Sequence, residues 1–232
     1  VLNHINSEGI HIMTLEDPVE YPMALVRQTS VSDTAKLDFA NGIRSMMRQD
    51  PDVILVGEIR DAETAEMAFR AAMTGHQVYS TLHTNSAIGA IPRLLDIGVL
   101  PDIMAGNIIG IVAQRLIRRL CDHCKAPYAA EPHETYLFDS ESEHARLILY
   151  RPTGCEYCNF QGYRGRIAIM ELLRIDRGVD ELIARRATTH DIRNRALQQG
   201  FTTLAEDGLR RVREGVTSLE ELGRVVDLTD RM

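Results

Sequence analysis

The sequence predicts an α/β protein with a parallel sheet. Through the first half of the chain, short apolar runs alternate with helical patterns, which is the order that produces parallel strands joined by helices. One of these runs, Val53–Val56, is apolar at every position, as expected for a strand that is buried on both faces. A change of pattern after Cys121 indicates that further elements follow the α/β core.

The elements of the first half are predicted in order from apolar spacing and end signals. The first six residues, VLNHIN, resemble the end of a helix. Strands are predicted at Ile10–Leu15, Val53–Val56 and Gln77–Leu82. Helices are predicted at Leu37–Arg48, Glu63–Met73, Ser86–Ile97 and Ile103–Leu120. Within the last of these, Gly106 and Gly110 are spaced to allow close packing against a second helix.

The second half has weaker periodicity until its last third. Residues 125–154 carry few regular signals, and residues 166–176 predict one or two strands. Four short helices are predicted at 179–186, 189–199, 203–214 and 218–226. We therefore divide the chain into a core at 1–120, a cysteine-containing element at 121–165 and a C-terminal helical subdomain at 166–232.

Composition opposes two classes of protein. The 232 residues carry a formal net charge of −7 and are 44% hydrophobic, which suits a globular core and opposes an overall basic surface for nucleic acid. The longest stretch of low charge, Ile103–Gln114, is too short to cross a bilayer, and no charged leader with an apolar centre opens the chain. Because the chain begins with Val1 inside what resembles the end of a helix, we expect a piece of a longer protein.

Polar side chains follow the predicted strands at their carboxyl ends. They are Glu16 and Asp17, then Glu58, Arg60 and Asp61, and finally His83. Ligands of α/β sheets bind at this edge, where carboxylates can hold Mg²⁺ or orient an attacking water and a histidine can contact the γ-phosphate of a nucleotide. Gly57 would let the chain approach such a ligand closely. The alternative for each acid is a helix cap or a surface position, and for each histidine a structural hydrogen bond.

Three longer stretches resemble the boxes of a known family in order and spacing. They are TLEDPVEY at 14–21, RQDPDVILVGEIRDAETA at 48–65 and TGHQVYSTLHTN at 74–85. The chain thereby resembles the secretion ATPase superfamily in its GspE/PulE–PilB branch, the motors of type II secretion and type IV pilus assembly. The resemblance covers essentially the whole chain and identifies the stretches as the Asp box, the Walker B box and the His box. It implies a partial RecA-like core.

The resemblance also implies roles for residues inside these boxes. Glu16 takes the position of an acid that polarises the attacking water, and Glu58 that of the Walker B acid linked to Mg²⁺ and hydrolysis. Which of the two is the base stays open. His76 and His83 take positions that sense or contact phosphate, and we count all four as catalytic. The other matched positions, which we assign to ATP binding, are Asp17, Arg60, Asp61 and Thr81.

The phosphate-binding loop of the family is not found in the sequence. It has the pattern G-x-x-x-x-G-K-[ST], and no Gly-Lys pair occurs among the 232 residues. In the family this loop lies just before the segment that the chain resembles. We therefore expect a C-terminal ATPase portion that is cut after the Walker A motif, and that binds ATP weakly and is inactive on its own.

The four cysteines form two pairs, Cys121-x-x-Cys124 and Cys155-x-x-Cys158. Paired C-x-x-C arms predict a tetrahedral Zn²⁺ site, because each arm presents two thiolates to one metal ion. Disulfides or redox thiols are the alternatives, but no export signal favours disulfides and two arms suit zinc better than one redox motif does. His123, inside the first arm, is not needed as a ligand. We expect the metal to stabilise a loop-rich element.

The resemblance implies a cytoplasmic, homo-hexameric motor, peripheral to the inner membrane, that hydrolyses ATP with Mg²⁺. Its partners in the family are an inner-membrane platform protein and cytoplasmic recruitment proteins of the secretion or pilus machine, and nucleic acid is not among them. The tetracysteine element favours secretion or pilus extension over retraction, and the loop at 126–151 favours the secretion branch. Two alternatives stay open: a zinc-stabilised protein-interaction module without ATPase activity, and a related motor that translocates nucleic acid.

Overall fold

The computed structural model describes residues 1–32, 37–138 and 147–229. By its internal contacts the chain divides into two compact units. Unit 1 comprises residues 1–111 and 174–196, and unit 2 comprises residues 112–173 and 197–232, within the described ranges. The division of the chain at residues 120 and 165, which follows the sequence motifs, stays a prediction.

A four-stranded parallel sheet in unit 1 confirms the predicted α/β class. Its strands are β1 (Ile12–Glu16), β2 (Val26–Ser30), β3 (Val53–Val56) and β4 (Gln77–Ser80). Their spatial order is β2-β1-β3-β4, and each neighbouring pair runs parallel. The sequence does not predict strand β2, because its residues VRQTS include a single apolar one. One apolar residue suffices here because β2 lies at the edge of the sheet.

Helices account for most of the remaining regular structure. In chain order they are α1 (Leu2–Ile5), α2 (Phe39–Met46), α3 (Ala62–Met73), α4 (Ala90–Ile97), α5 (Pro101–Met104), α6 (Pro132–Thr135), α7 (Arg177–Ala184), α8 (Thr189–Gln198), α9 (Leu204–Arg213) and α10 (Leu219–Val225). The four helices predicted after residue 178 are confirmed as α7 to α10. Helix α7 and most of α8 belong to unit 1, whereas α9 and α10 belong to unit 2.

Helix α2 lies directly on the sheet. A Cβ atom added at Gly42 would lie 2.3 Å from Cδ2 of Leu15, so glycine lets α2 approach β1 without displacing that side chain. The helix begins where the carboxylate of Asp38 accepts a hydrogen bond of 2.7 Å from the amide of Asn41. Leu15 and Ile43, on either side of this contact, are fully buried.

The predicted helix at Ile103–Leu120 is wrong. The chain instead forms the four-residue helix α5 and then a long strand, β5 (Gly110–Leu120). Gly106 lies between them with φ at +78°, a left-handed conformation that ends the helix, so the two glycines do not serve helix packing.

The helical pattern in this segment has a simple origin. Strand β5 buries Ala113, Ile117 and Leu120, whose spacing of four and three residues is also that of one helix face. The competing signal is the β-branched content of residues 108–112, which lowers helix propensity and favours a strand.

Two small sheets form the strand part of unit 2. One pairs β5 with β8 (Tyr163–Arg174), and the other pairs β6 (Ala126–Ala129) with β7 (Ile148–Arg151) in antiparallel register. Strand β8 confirms the strand predicted at 166–176. Strands β6 and β7 lie in the region predicted to have few regular elements.

A buried carboxylate joins β5 to helix α10 in unit 2. The side chain of Glu221 is fully buried and accepts hydrogen bonds from the guanidinium groups of Arg118 and Arg224 at 2.6 to 2.9 Å, and from the Arg118 amide at 3.0 Å. The Arg118 guanidinium also lies 4.1 Å from the ring centre of Tyr163. Hydrogen bonds from Arg224, and then from Arg118, outweigh burial and lower the pKa of Glu221 to about 2.

We predict that Glu221→Gln lowers the free energy of unfolding by about 2 kcal/mol at neutral pH. This is less than the ~3–5 kcal/mol of a fully buried pair, because both guanidinium groups keep contact with water. A lowered pKa means that the ionised carboxylate stabilises the fold above pH 4.5 and that this contribution is lost as the pH falls towards about 2. Urea unfolding at several pH values is the measurement.

The matched control is Glu220→Gln, which removes an exposed carboxylate from the same helical turn. It should change the free energy of unfolding by less than about 0.5 kcal/mol. A difference between wild type and Glu221→Gln that stays constant from neutral pH down to about pH 2 would contradict this account.

Candidate functional site

The loops after β1, β3 and β4 lie side by side at the carboxyl edge of the parallel sheet. Leu15 of β1 is in register with Val56 of β3, which in turn is in register with Ser80 of β4. Hydrogen bonds join the loops beyond the strands: the Gly57 amide donates to the Leu15 carbonyl at 2.7 Å, and the hydroxyl of Thr81 donates to the Gly57 carbonyl at 2.7 Å. The sequence expectation of one shared edge is therefore met for all three loops.

Gly57 is required by the neighbouring strand. A Cβ atom at this position would lie 3.1 Å from the Leu15 carbonyl oxygen and 3.3 Å from Cα of Glu16. The close approach that the glycine allows is thus between β3 and β1. This contact brings the segment that carries Glu58 next to the one that carries Glu16.

Glu58 is the centre of the polar group at this edge. Its Oε1 lies 2.5 Å from Nη2 of Arg60, and its Oε2 lies 2.9 Å from Nε2 of His83, which comes from the β4 loop. The Glu58 side chain is 13% exposed, whereas those of Arg60 and His83 are 63% and 81% exposed. Two exposed side chains, a guanidinium and an imidazole, therefore hold a nearly buried carboxylate.

Charge pairing shifts the proton equilibria of this group. The hydrogen bond from Arg60, followed by that from His83, outweighs burial and lowers the pKa of Glu58. The bond to Glu58 raises the pKa of Arg60, and the negative charge of Asp17 adds to that effect. Arg60 thus lies in the field of acids from two loops, those that follow β1 and β3.

Glu16 has different surroundings. Its Oε1 accepts hydrogen bonds from the hydroxyl of Thr14 at 2.5 Å and from Nε2 of Gln28 at 3.0 Å. Neither donor is charged. The sequence identifies neither donor: Gln28 lies in the unpredicted strand β2, and Thr14 enters only as a member of the first predicted strand and of the TLEDPVEY box. A polar residue two positions before a strand-end acid, on the same face, was the available signal for Thr14.

Asp61 and Thr81, two of the predicted site residues, make hydrogen bonds that support the backbone at this edge. A third predicted site residue, His76, lies at the other edge of the sheet. Asp61 caps helix α3 by accepting a hydrogen bond of 2.8 Å from the Thr64 amide, and Thr81 holds the Gly57 carbonyl. His76 precedes β4, at the amino edge of the sheet, where its Nδ1 lies 3.0 Å from the Ala71 carbonyl. The four residues of β4 lie between His76 and Thr81, so five steps of extended chain, about 16 Å, separate the two.

The edge combines the groups that phosphoryl transfer to water uses. Glu16 presents a carboxylate that is bonded on one oxygen, and Glu58 presents one that is held between the Arg60 guanidinium and the His83 imidazole. Arg60 and His83 offer exposed donors to an anion. Such a set can orient water, neutralise a polyphosphate and hold a divalent ion through carboxylate oxygens.

Unit 2 holds the second candidate site, formed by Cys121, Cys124, Cys155 and Cys158. All four Sγ atoms lie within 4.8 Å of one another, and three of the pairs are 3.8 Å apart. Zn–S bonds of about 2.3 Å at tetrahedral angles place sulfurs about 3.8 Å apart, so the geometry fits a Cys₄ zinc site. The cysteines form no disulfide in the structure.

The sulfurs differ in their surroundings: burial and the neighbouring thiols raise the pKa of Cys155 to about 11, whereas backbone amides act on Cys158. The amides of Cys155 and Gly162 each donate to Sγ of Cys158 at 3.2 Å. Burial opposes ionisation of this thiol, but these amide donors lower its pKa to about 6. The ring of His123 stacks on that of Tyr157 at 4.0 Å, which links the two arms without placing the imidazole among the sulfurs.

Comparison with known proteins gives consistent matches along the chain. The family model described as Type II/IV secretion system protein matches residues 1–224. Type II secretion system ATPase E of Vibrio cholerae serotype O1 is 47% identical over 97% of this chain and 44% of its own length. Type IV pilus assembly ATPase PilB of Thermus thermophilus is 44% identical over 98% of this chain and 26% of its own length.

A solved structure with the same fold is that of the pilus retraction motor PilT with bound ADP. The TM-score is 0.68 at 29% sequence identity, and the match covers 96% of this chain and 54% of that one. The chain thus spans less than half the length of the curated relatives named above. In the part of the chain that the structure describes, every helix is too short or too polar to cross a lipid bilayer.

We predict that the cysteine site binds one Zn²⁺ per chain and that Cys158→Ser abolishes retention of the metal. Loss of one thiolate leaves three ligands and removes the sulfur that two backbone amides orient. Metal content after dialysis, measured by mass spectrometry, should fall from about one equivalent to near zero.

The matched control is His123→Ala, which removes the imidazole inside the first arm. This variant should keep its full metal content, because the imidazole lies against Tyr157. Full metal content in Cys158→Ser, or loss of metal in His123→Ala, would overturn the four-sulfur assignment.

Proposed function

The chain belongs to the type II/IV secretion system protein family, and we propose that it supplies the catalytic carboxylates of an ATPase motor in that family. The observation that supports this most is the carboxyl edge of the sheet, where Glu58 contacts Arg60 and His83 while Glu16 ends the adjacent strand. Family membership, stated at the outset as a resemblance of three boxes, is confirmed.

The proposed reaction is hydrolysis of ATP by in-line attack of water. The water oxygen bonds to the γ-phosphorus, the bond from that phosphorus to its bridging oxygen breaks, and the electron pair leaves on ADP. Glu16 orients the water and takes its proton, because its Oε2 has no hydrogen-bond partner among the residues that the structure describes. A bound Mg²⁺ would neutralise charge on the phosphates.

Glu58 has the complementary role in this proposal. Its lowered pKa keeps it ionised and makes it a poor base, so it suits the metal side of the site. Arg60 and His83 are exposed and can turn from Glu58 to the phosphates. Asp17 adds negative charge near Arg60. Asp61 and Thr81 support the loop after β3 through the hydrogen bonds described above. His76 lies at the opposite edge of the sheet, where it contacts the Ala71 carbonyl near the end of α3.

The phosphates need a cradle beyond these residues. Backbone amides and a lysine of a glycine-rich loop normally supply it, and the sequence contains no Gly-Lys pair. We therefore propose that the 232 residues alone bind ATP weakly and hydrolyse almost none. Zn²⁺ at the four cysteines stabilises unit 2 and takes no part in the chemistry.

The wider role follows from the names of the relatives. We propose a cytoplasmic, homo-hexameric motor, peripheral to the inner membrane, that acts with platform and recruitment proteins in type II secretion or in type IV pilus assembly. The secretion branch is preferred because the Vibrio cholerae relative is 47% identical against 44% for PilB of Thermus thermophilus. The second candidate, favoured by the cysteine site alone, is a zinc-stabilised module that binds proteins without hydrolysis.

We predict Mg²⁺-dependent ATPase activity for a chimera in which this chain replaces the matching segment of the Vibrio cholerae relative. In that chimera, Glu58→Gln should lower kcat at least about 100-fold, because it removes the charge that Arg60 and His83 surround. Steady-state phosphate release is the measurement, with the isolated chain run in parallel.

The matched control is Glu66→Gln, which neutralises an exposed acid of helix α3 that forms a surface ion pair with Arg70. Its kcat should stay within about twofold of wild type. A chimera that folds and binds Zn²⁺ but hydrolyses no ATP would favour the protein-binding module.

A further inference from the structure

We propose that Thr14 and Gln28 are positioning residues that orient Glu16 so that one of its oxygens faces the attacking water. This inference rests on the proposed function, because it concerns the acid to which the hydrolytic water is assigned. Neither residue touches the reacting atoms in this proposal. Both act through a single oxygen, Oε1 of Glu16.

Thr14 is placed for this task by the geometry of its strand. Residues 14 and 16 lie two positions apart on β1, so their side chains point to the same face of the sheet. Thr14 is fully buried, and its hydroxyl donates to Oε1 of Glu16 at 2.5 Å. A buried hydroxyl without a partner would cost free energy, so this bond fixes the Thr14 hydroxyl and the Glu16 carboxylate together.

Gln28 approaches the same oxygen from the neighbouring strand. It is the register partner of Thr14 in the parallel pair of β1 and β2, and its Nε2 donates to Oε1 of Glu16 at 3.0 Å. The amide is itself held at both ends: Nε2 also donates to the Tyr21 carbonyl at 3.0 Å, and Oε1 accepts from the Met23 amide at 2.6 Å. The orientation of the Gln28 amide is therefore determined by the backbone of the loop between β1 and β2.

The outcome for Glu16 is an asymmetric carboxylate. One oxygen accepts two hydrogen bonds from neutral donors, and the other accepts none from the residues within the described ranges. Neutral donors fix the direction of the group without placing a positive charge beside it, whereas the Arg60 guanidinium places one beside Glu58. A carboxylate that is held in this way can keep its lone pair on a water molecule through the reaction.

A purely structural role makes different demands. If Thr14 served only to fill space in the sheet, valine, which has the same shape, would replace it without loss. If Gln28 served only to hold the loop at residues 21–23, its removal would act on stability and would not depend on Glu16. The two roles can therefore be separated by variants that differ in one functional group.

The experiment uses the ATPase chimera described above and compares Thr14→Val, Thr14→Ser and Gln28→Leu. We expect kcat to fall about 10-fold to 100-fold in Thr14→Val and Gln28→Leu, with KM for ATP within about twofold of wild type, since orientation of the water is lost and ATP contacts are kept. Thr14→Ser keeps the hydroxyl and should restore most of the rate. Thermal unfolding of each variant shows whether it is folded.

The decisive measurement repeats Thr14→Val and Gln28→Leu in a Glu16→Gln background. There, neither substitution should lower the residual kcat further, because both act through the Glu16 carboxylate. An undiminished kcat in folded Thr14→Val, a change in KM alone, or an equal loss in the Glu16→Gln background would overturn the inference and leave the proposed function intact. An inactive wild-type chimera would instead overturn the proposed function, and this inference with it.

Discussion

The register of the parallel strands β1, β3 and β4 is the constraint on which the rest of unit 1 depends. Parallel strands in this register end together, so the three loops that follow them meet at one edge. Gly57 permits the close approach of β3 to β1, and helix α2 covers the sheet through the contact of Gly42 with Leu15. A slip of one residue would turn every side chain of a strand to the other face and separate these groups.

The two acids at this edge, Glu58 and Glu16, accept hydrogen bonds from different kinds of donor. Glu58 is held by Arg60 and His83, whose hydrogen bonds lower its pKa and favour the ionised form. Glu16 is held at one oxygen by the neutral donors Thr14 and Gln28, and its other oxygen accepts no hydrogen bond within the described part of the chain. Environments of this kind divide chemically identical carboxylates between electrostatic and proton-accepting roles.

The sequence was sufficient where local pattern and tertiary structure agree. The strand Val53–Val56 was predicted with the bounds that the structure shows, and the four sulfurs converge as the paired C-x-x-C spacing required. It was insufficient for the edge strand β2, which carries Gln28, because that strand has one apolar residue. It was also insufficient for β5, because the spacing of its buried residues is that of a helix face. His76 and His83 share one box, yet the strand between them sends them to opposite edges of the sheet.

The most direct test of the carboxyl edge as a nucleotide site uses paramagnetic broadening. ATP complexed with Mn²⁺ is titrated into the zinc-loaded, ¹⁵N-labelled chain, and the loss of amide signal intensity is mapped by residue. The account predicts that signals at residues 16–17, 57–61 and 81–83 broaden first, while those of His11 and His76 at the amino edge persist. Broadening centred on His76, or equal broadening at both edges, would contradict it.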